Sequence, residues 1–407
     1  MAQTLKFGNG NFATKAGSTL CYDDQNGNFK PIPMDFTRAS TATRVNKQGL
    51  IEVVKSNVPR IDYTDTTNGV LLLEKAATNL QTYSSDLASV YVPTNITQTS
   101  NYGISPDGSL TSTRVVLSNL TDSRSVETLS GVLTNNTVYT FSCYYKGVKG
   151  ESTYMYFLSS AGGTNISKEI IFTGKWQRES ITFTAGSASN YTYIVDVRQG
   201  VSTATDFEVW GGQVEVGNAS SYIPTQGSAT TRVAETASGA GNSEVFNDSE
   251  GVLFADIAAL ENLTTQEIAF SISDGVNNRL LVRFKTDGRI GFVAFTNGVG
   301  LRALGETGVL NQSINKKIAI KYKENDYALW INGIEVVTDT TSTTFSLGAL
   351  TEISFNQGNN SNPFYGKTKE IGYYNTILTD LELEYLTSYR SWESMVNELN
   401  LNIIYNG

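Results

Sequence analysis

The sequence offers few residues that could catalyse a reaction. None of its 407 residues is histidine, which excludes Ser-His-Asp and Cys-His nucleophilic machinery. The remaining route to hydrolysis is a carboxylate pair acting on a glycosidic bond. The pattern Glu-x-Asp-x-x-Glu would place alternate carboxylates of one strand in a cleft, but the nearest match, Glu324-Asn-Asp326, has Leu329 at its third position. We interpret Glu324 and Asp326 as a solvated turn and predict that the protein is not an enzyme.

Metal sites have equally little to draw on. Cys21 and Cys143 are the only cysteines, too few for a disulfide framework or a thiolate zinc site, and we expect buried, reduced thiols. Calcium prefers oxygen ligands and "NDSEG" at 247–251 could supply them, but we interpret this stretch as a surface loop. We predict no cofactor, with calcium as the open alternative.

Glycan binding asks for an aromatic platform surrounded by amides and carboxylates. Trp176, Trp210 and Trp330 lie inside strand patterns, so we expect them in cores. The candidate glycan site is instead the loop "NQGNNSNPFY", with a plain polar loop as the alternative; its candidate residues are Asn356, Gln357, Asn359, Asn360 and Tyr365.

Arginines recur in segments rich in threonine and serine. Arg38, Arg44 and Arg60 lie in "DFTRASTATRVNKQGLIEVVKSNVPRIDY", and Arg232 lies in a shorter echo, "GSATTRVAET". The chain is acidic, with a net charge of −9, so we expect these arginines to pair with carboxylates at packed junctions and to serve assembly.

The composition indicates a mostly-β protein without a nucleic-acid partner. Tyr (21) and Phe (18) are plentiful, as are Thr, Ser, Asn and Gly, which favour strands and turns. An acidic surface repels phosphates. No apolar run reaches the length of about 18 residues that a membrane span needs, and Met1–Gly10 lacks the apolar core of a secretory signal. We therefore expect neither membrane insertion nor export.

Short alternating runs separated by turn residues predict tandem antiparallel β-sandwich (jelly-roll) domains with an extended N-terminal segment and a short C-terminal helix. Turns are predicted at Thr286-Asp287-Gly288, Glu324–Asp326 and Asn332-Gly333. The predicted parts are an N-terminal attachment segment (1–77), a first jelly roll (78–225), a linker (226–243), a second sandwich (244–378) and a C-terminal helix and tail (379–407).

The C-terminal part carries a helix-start signal. Thr379 followed by Glu382 forms a capping box, and this, with the helix dipole, accounts for the acidic cluster Asp380, Glu382 and Glu384. We expect one apolar helical face, packed on its own domain or, as the alternative, on another subunit; it is made by Leu381, Tyr385, Tyr389, Trp392, Val396 and Leu399.

Several strings resemble recurrent sequences of tailed-bacteriophage virion proteins. "DFTRASTATRVNKQGLIEVV", "GVLLLEKAATNLQTYSSDL" and "SYIPTQGSATTRVAET" look like those of fibre, spike or head-fibre proteins, often from phages of Bacteroidetes-type hosts, including crAss-like phages. The middle segment, with "YTFSCYYKG" and "FEVWGGQVEVG", resembles a carbohydrate-binding-module-like jelly roll. Residues 250–390, with "YALWINGIEV", resemble a concanavalin A-like or laminin-G-like lectin domain.

The resemblance implies a structural virion protein of the head or tail, assembled in the host cytoplasm. Its N-terminal region would dock to capsid or tail components, and its lectin-like domains would contact host-surface glycans. It implies a homo-oligomer, with a trimer favoured and a dimer as the alternative. Two other functions stay open: a virion-borne glycan hydrolase and a non-viral bacterial surface adhesin.

Overall fold

In the computed structural model, residues 3–129, 131–399 and 401 are described. The strands of the first 75 residues are β1 (Leu5–Gly8), β2 (Thr14–Lys15), β3 (Ser18–Asp23), β4 (Lys30–Thr37), β5 (Ala42–Val45), β6 (Ile51–Val54), β7 (Arg60–Asp62) and β8 (Val70–Leu73). The next strands are β9 (Ala77–Asn79), β10 (Val92–Thr94), β11 (Ile96–Thr99), β12 (Thr113–Leu117), β13 (Arg124–Thr128), β14 (Val138–Lys146), β15 (Ser152–Ser159), β16 (Ile166–Ile171), β17 (Gln177–Thr184), β18 (Asn190–Asp196), β19 (Asp206–Val216) and β20 (Thr230–Arg232).

The remaining strands are β21 (Thr236–Ala240), β22 (Glu250–Ala259), β23 (Ile268–Ser273), β24 (Arg279–Phe284), β25 (Ile290–Thr296), β26 (Val299–Glu306), β27 (Lys316–Lys323), β28 (Tyr327–Ile331), β29 (Ile334–Asp339), β30 (Glu352–Ser354) and β31 (Gly366–Tyr374). The α-helices are α1 (Asp380–Thr387) and α2 (Trp392–Glu398). The predicted mostly-β class is confirmed.

The chain forms two compact units, each built from more than one segment. Unit 1 comprises residues 1–39, 54–75 and 234–407, and unit 2 comprises residues 40–53 and 76–233. This division differs from the predicted boundaries at the N-terminus and at the predicted linker. Within 226–243, β20 pairs with β9 inside unit 2, whereas β21 pairs with β4 and β30 inside unit 1.

Unit 2 is a jelly-roll sandwich. Its described residues form two five-stranded antiparallel sheets, one in the order β10-β13-β18-β15-β16 and the other in the order β11-β12-β19-β14-β17. We call them the first and the second sheet. Alternate residues of both sheets point inwards and form one core, to which β14 contributes Phe141 and Tyr145 and β15 contributes Met155 and Phe157.

Unit 1 is a larger sandwich, whose described strands form one continuous ladder folded into two layers. One layer runs β31-β22-β27-β28-β29. β1 and β8 pair with the other edge of β31. The other layer runs β3-β4-β21-β30-β23-β24-β25-β26. Leu253, Ile320 and Ile371 of the first layer share a core with Phe270 and Phe292 of the second.

Most strands of the N-terminal region belong to unit 1, whereas residues 40–53 belong to unit 2. Leu5 and Phe7 of β1 are buried in the unit 1 core, as are Met34 and Phe36 of β4. β1 pairs with β31 over four residues, from Leu5↔Tyr373 to Gly8↔Glu370. Removing residues 1–77 would therefore take strands out of both layers, and their predicted role in particle attachment stays a prediction.

The predicted hairpin turns lie where the sequence placed them. β24 and β25 pair in register across the Asp287-Gly288 turn, and Gly288 has a φ of 81°, which favours glycine. Asn325 and Asn332, with φ of 59° and 51°, occupy the turns that join β27 to β28 and β28 to β29. The Glu324–Asp326 pair thus lies at a turn, as predicted.

The C-terminal region begins as predicted but contains two helices. The capping box is present: Glu382 N donates to Thr379 Oγ1 at 3.3 Å, and Thr379 N donates to Glu382 Oε2 at 2.8 Å. Ser388 is extended, and Ser391 starts α2 by accepting a hydrogen bond from Ser394 N. The residues of α2 therefore do not continue the helical face of α1, as a single continuous helix would require.

The predicted apolar helical face is wrong for that reason. Leu383 of α1 packs with Leu378 on the outer side of the unit 1 sheet, beside Phe254 and Trp330. Leu381, Tyr385 and Trp392 are exposed, whereas Val396 is buried. The helix does pack on its own unit, as expected. Residues 400 and 402–407 of the predicted tail lie outside the described residues.

Neither described helix combines the length and the apolar character that crossing a bilayer requires. Cys21 and Cys143 are buried free thiols, as predicted. Burial raises the pKa of the Cys143 thiol to about 12, so it stays protonated and unreactive at neutral pH.

Candidate functional site

The outer side of the first sheet of unit 2 carries four tyrosines on two adjacent strands. In β15, the buried Met155 and Phe157 alternate with the partly exposed Tyr154 and Tyr156. In β18, the buried Thr192 separates the partly exposed Tyr191 from Tyr193, which is only 7% exposed. Because side chains alternate along a strand, these tyrosines all point away from the core. We call Tyr154, Tyr156, Tyr191 and Tyr193 the tyrosine face.

Strand register brings the rings of the tyrosine face together. Tyr156 lies directly opposite Tyr193, and their ring centroids are 5.4 Å apart at an interplanar angle of 39°. Leu158 lies opposite Tyr191 on the same side, and Val126 of β13 lies opposite Tyr193. β18 is the central strand of this sheet. The result is a continuous aromatic and aliphatic patch across three strands.

A charged pair borders this patch at the end of β18. Arg198 Nε and Nη2 donate to Asp196 Oδ1 and Oδ2 at 2.8 and 2.7 Å, which is a bidentate pair. Gln199 Nε2 also donates to Asp196 Oδ2, at 3.3 Å. Burial and the neighbouring Asp196 charge raise the pKa of Tyr156, so its hydroxyl stays protonated at neutral pH and can donate a hydrogen bond.

Gly200 lets Tyr154 lie against the backbone beside this pair. A Cβ atom added at Gly200 would lie 2.3 Å from Tyr154 Cζ and 2.5 Å from its hydroxyl oxygen. Any larger residue at position 200 must therefore displace the ring of Tyr154. The backbone of the 197–203 segment thus sets the position of one ring of the tyrosine face.

The tyrosine face has the chemistry of a platform for an amphipathic ring. Its aromatic planes offer apolar contact area, and its hydroxyls, with Arg198 and Gln199, offer polar groups at the margin. Arg198 is neutralised by Asp196, and Glu169, opposite Tyr154, adds a negative charge. Such a face suits a neutral polyhydroxylated ligand better than an anion.

The second sheet of unit 2 also has an aromatic outer side, but part of the chain covers it. Trp210 and Tyr222 pack there with Ile51, and Val45 adjoins them; Ile51 and Val45 come from the β5–β6 hairpin. Thr43 of this hairpin donates to the Tyr222 carbonyl through its hydroxyl at 2.5 Å. The "TATRVNKQGLIEV" stretch therefore covers the aromatic side of the second sheet, and Trp210 is buried as predicted.

The predicted glycan loop joins β30 to β31 in unit 1, and its amides are largely used within the loop. Asn356 Oδ1 accepts from Gly358 N at 2.6 Å, and Gln357 Oε1 accepts from Asn362 Nδ2 at 2.7 Å. Asn359 Oδ1 accepts from Ser361 N at 3.2 Å. These bonds shape a turn.

Two further predicted residues complete the loop. Asn360 is exposed with a φ of 63°, and Tyr365 is partly buried. Glycan binding by this loop stays a prediction.

Two of the four predicted arginines meet in one buried cluster of unit 1. Arg38 Nη1 donates to Glu235 Oε1 at 2.7 Å, and Arg60 Nε donates to the same oxygen at 2.9 Å. Arg60 Nη2 also pairs with Glu74 Oε2 at 2.8 Å. We call Arg38, Arg60, Glu74 and Glu235 the buried charge cluster. Glu235 belongs to the "TTRVAET" echo, so the two related segments contribute to one network.

The other two predicted arginines lie in unit 2. Arg44 pairs with Glu52 across the β5–β6 hairpin at 2.7 Å. Arg232 is buried, and its Nη1 donates to the hydroxyls of Ser220 and Ser221 at 3.2 and 3.0 Å. Carboxylate pairing therefore holds for Arg38, Arg44 and Arg60, and a role in assembly stays a prediction for all four arginines.

The other candidate chemistry is structural. Asp326 pairs with Lys321 at 2.7 Å beside its turn. In "NDSEG", the expectation of a surface loop is wrong for Asp248, whose buried carboxylate accepts from Gly348 N and Leu350 N at 2.6 and 2.8 Å. Among the residues that the structure describes, no three metal-binding side chains come together.

Sequence reasoning missed the tyrosine face, although a signal was present. "TYMYFL" and "NYTYIV" each hold two tyrosines with one residue between them, which in a strand places both on one side. Whether that side of the strand is buried depends on the segments that pack against it in the folded chain. Since residues 160–189 separate β15 from β18 in sequence, only the pairing of these strands shows that the tyrosines form one patch.

Comparison with protein-family models gave no match, and comparison with curated protein sequences gave none. Among solved structures, the chain is similar to the CBM40 of a Ruminococcus gnavus IT-sialidase, with 18% identity and a TM-score of 0.29, over 37% of this chain and 94% of that chain. It is similar to domain 4 of AbnA, a GH43 arabinanase of Geobacillus stearothermophilus, with 17% identity and a TM-score of 0.32, over 42% and 82%.

A third similarity is to a SAP-like pentraxin of Limulus polyphemus, with 11% identity and a TM-score of 0.29, over 35% of this chain and 71% of that chain. The first two of these structures come from carbohydrate-active proteins. Each similarity covers less than half of this chain and is a statement about part of its fold.

Proposed function

We propose that the protein binds a neutral surface glycan through the tyrosine face and does so as a structural component of a tailed-phage virion. The observation that carries the binding proposal is the partly exposed group of Tyr154, Tyr156 and Tyr191 on the solvent side of the first sheet, beside the buried Tyr193 and the Asp196–Arg198 pair. The sequence resemblance to fibre and head-fibre proteins supports the virion part. We propose adhesion without cleavage, by a homo-oligomer.

The physical basis of binding is contact between apolar surfaces with polar groups at the edge. The C–H faces of a pyranose ring are apolar, so they gain by covering the partly exposed rings of Tyr156 and Tyr191. Sugar hydroxyls at the margin then reach Arg198, Gln199 and the tyrosine hydroxyls, while the buried Asp196 holds Arg198 and Gln199 in place. Because these groups already lie on adjacent strands, little conformational entropy is lost on binding.

Replacing Tyr156 with alanine should lower glycan affinity at least about tenfold, equivalent to about 1.4 kcal/mol, because it removes the ring at the centre of the patch. The measurement is surface binding to a panel of neutral and uronic-acid-containing bacterial polysaccharides together with sialyllactose. Gly200→Ala should weaken binding less, because it only displaces Tyr154.

Tyr102→Ala is the matched control, since Tyr102 is an exposed tyrosine of the same unit that contacts Arg114 and not the tyrosine face. Equal losses in Tyr156→Ala and Tyr102→Ala would contradict the assignment. Preference for the acidic glycans would contradict the charge argument.

The virion proposal makes a separate prediction. Mass spectrometry of purified phage particles should detect the protein at a fixed ratio to the capsid protein, and particles from a deletion mutant should lack it and adsorb more slowly to host cells. A protein that is secreted or surface-bound in uninfected cells and missing from particles would refute this part. Tyr156→Ala particles should contain the protein and still adsorb poorly.

A further inference from the structure

Unit 1 contains a polar cavity of about 510 Å³ beside its C-terminal helices. The floor is the outer side of β22, β27 and β31, and α1 and α2 contribute to the wall together with residues near the N-terminus and residues 66–69. A volume of this size lies within the range of about 300–1,000 Å³ that small-molecule sites occupy. The cavity shares no residue with the tyrosine face or with the predicted 356–365 loop.

The cavity is lined by equal numbers of positive and negative side chains, but not every carboxylate forms an ion pair. Three carboxylates and three cations line it: Asp256, Glu370 and Glu398, with Lys317, Lys369 and Arg390. Lys317 Nζ donates to Asp256 Oδ2 at 2.8 Å, and Asn315 Nδ2 donates to Asp256 Oδ1 at 2.6 Å. Lys369 Nζ donates to Glu398 Oε2 at 3.1 Å.

Glu370 is the exception. Its carboxylate makes no hydrogen bond or ion pair with any residue that the structure describes, although it lies directly opposite Asp256 on the neighbouring strand. Burial and the nearby Asp256 charge raise the pKa of Glu370, and they outweigh the opposite effect of the Lys317, Lys6 and Arg390 charges. A partly buried carboxylate without a partner is costly, because the water it loses is not replaced. A ligand that donates hydrogen bonds would replace that water.

The C-terminal helical region adds a cation and an aromatic ring to the lining. The guanidinium of Arg390 lies 3.8 Å from the centre of the Tyr385 ring, and its Nη1 donates to the Tyr385 carbonyl at 2.6 Å. Asn9 and Asn68 add amides from the N-terminal part of the unit. An acceptor on one wall and donors and amides on the others suit a compact molecule with several hydroxyls.

We propose that this cavity is a second ligand site, which takes a single neutral sugar ring or a polyol of similar size, with Glu370 accepting hydrogen bonds from its hydroxyls. The balanced charge of the lining disfavours a strongly charged ligand. Binding is favoured over cleavage, because Asp256 is held by Lys317 and Asn315 and does not provide a second free carboxylate. This site does not depend on the tyrosine face.

The test uses the full chain carrying Tyr156→Ala, which weakens binding by the tyrosine face and lies outside unit 1. Glucose, galactose and N-acetylglucosamine are added at millimolar concentration, and binding is followed by saturation-transfer NMR. We expect at least one sugar to bind and Glu370→Ala to weaken it at least about tenfold, a loss typical of a buried hydrogen-bonding group. Asn68→Ala, on a different wall, should weaken it less.

Glu393→Ala is the matched control, because Glu393 is an exposed carboxylate of α2 that does not line the cavity. The proposal is overturned if none of the three sugars binds, or if Glu370→Ala and Asn68→Ala bind as well as Glu393→Ala does. Loss of polysaccharide binding by Tyr156→Ala with sugar binding retained would support both sites. Sugar binding with no effect of Tyr156→Ala on polysaccharide binding would support the cavity and refute the tyrosine face.

Discussion

Replacing Glu235 with glutamine should destabilise unit 1 by about 3–5 kcal/mol, because it removes the negative charge that pairs with two buried arginines. Both Glu235 oxygens are occupied: Oε1 accepts from Arg38 and Arg60, and Oε2 accepts from Arg60 and from Glu74 N, the last at 2.9 Å. The side chains of Arg38, Arg60 and Glu235 have no solvent exposure. Glutamine would remove one negative charge from a cluster that holds two buried guanidinium groups.

The electrostatics of Arg60 explain the size of this effect. Burial alone lowers the pKa of Arg60, but the attraction of Glu74 and Glu235 outweighs burial and raises the pKa above its ordinary value. Arg60 therefore stays charged in the variant and remains costly to bury. The measurement is chemical denaturation at neutral pH, followed by hydrogen exchange of the β7, β8 and β21 amides, which reports on unit 1.

Glu261→Gln is the matched control within the same unit. Glu261 pairs with Lys75 at 3.2 Å, and both side chains are partly exposed, so this change should cost less than about 1 kcal/mol. Similar losses for Glu235→Gln and Glu261→Gln would show that the buried charge cluster is not a main support of unit 1. Arg38, Glu74 and Glu235 each lie next to a boundary residue of a unit 1 segment, so the cluster ties together segments that are distant in sequence.

Replacing Glu127 with glutamine should stabilise unit 2 at neutral and alkaline pH but not in acid. Glu127 lies in the unit 2 interior near Tyr91 and Thr192, and burial raises its pKa to about 7. Its Oε2 has no hydrogen-bond partner in the described part of the chain. Because the folded state holds this proton more tightly than the unfolded state does, the stability that Glu127 contributes is present below pH 4.5 and falls as the pH rises through 7.

The full difference between a pKa of 4.5 and one of about 7 corresponds to about 3 kcal/mol. The stability of Glu127→Gln minus that of the natural protein should therefore increase from near zero at pH 4 to about 3 kcal/mol at pH 8. Subtracting the two proteins removes the contributions of other titrating groups. The measurement is chemical denaturation between these pH values, followed by hydrogen exchange of the β13 and β18 amides.

Glu169→Gln, at an exposed position of the same unit, should show no such trend. A flat difference for Glu127→Gln would mean that Glu127 is solvated in the folded state. If the stability difference between Glu127→Gln and the natural protein instead grew as the pH fell, its pH dependence would have the opposite sign. That result would contradict the burial of Glu127 without a full set of hydrogen-bond partners.

Local patterns predicted the parts of the fold that depend on neighbours in sequence. The Asp287-Gly288 hairpin and the turns at Asn325 and Asn332 follow from which residues tolerate a positive φ. The capping box at Thr379 and Glu382 follows from the spacing of two side chains over one helical turn. The continuous helix beyond it was wrong, because Ser388 and Ser391 end one helix and start another, and Leu383 instead of Leu381 faces the sheet.

Patterns within a strand did not predict which strands share a sheet or which side is covered. The alternation of Tyr154 and Tyr156 with buried residues resembles that of Tyr139 and Phe141, yet the first pair faces outwards and the second forms the core. Trp210 also lies on an outer side, and the β5–β6 hairpin, more than 150 residues earlier, buries it. An aromatic side chain is equally suited to a core and to an exposed binding patch, so its strand alone does not decide between them.

The sequence by itself determined the mostly-β class, the turns, the helix start, the absence of histidine chemistry and the attraction of arginines to carboxylates. The tertiary structure decided that β1 and β4 complete unit 1, that Arg38 and Arg60 converge on Glu235, and that four tyrosines form one face. The physical reason is that turns and caps are satisfied within a few residues of chain. Strand pairing and the desolvation of charges depend on residues brought together from distant segments.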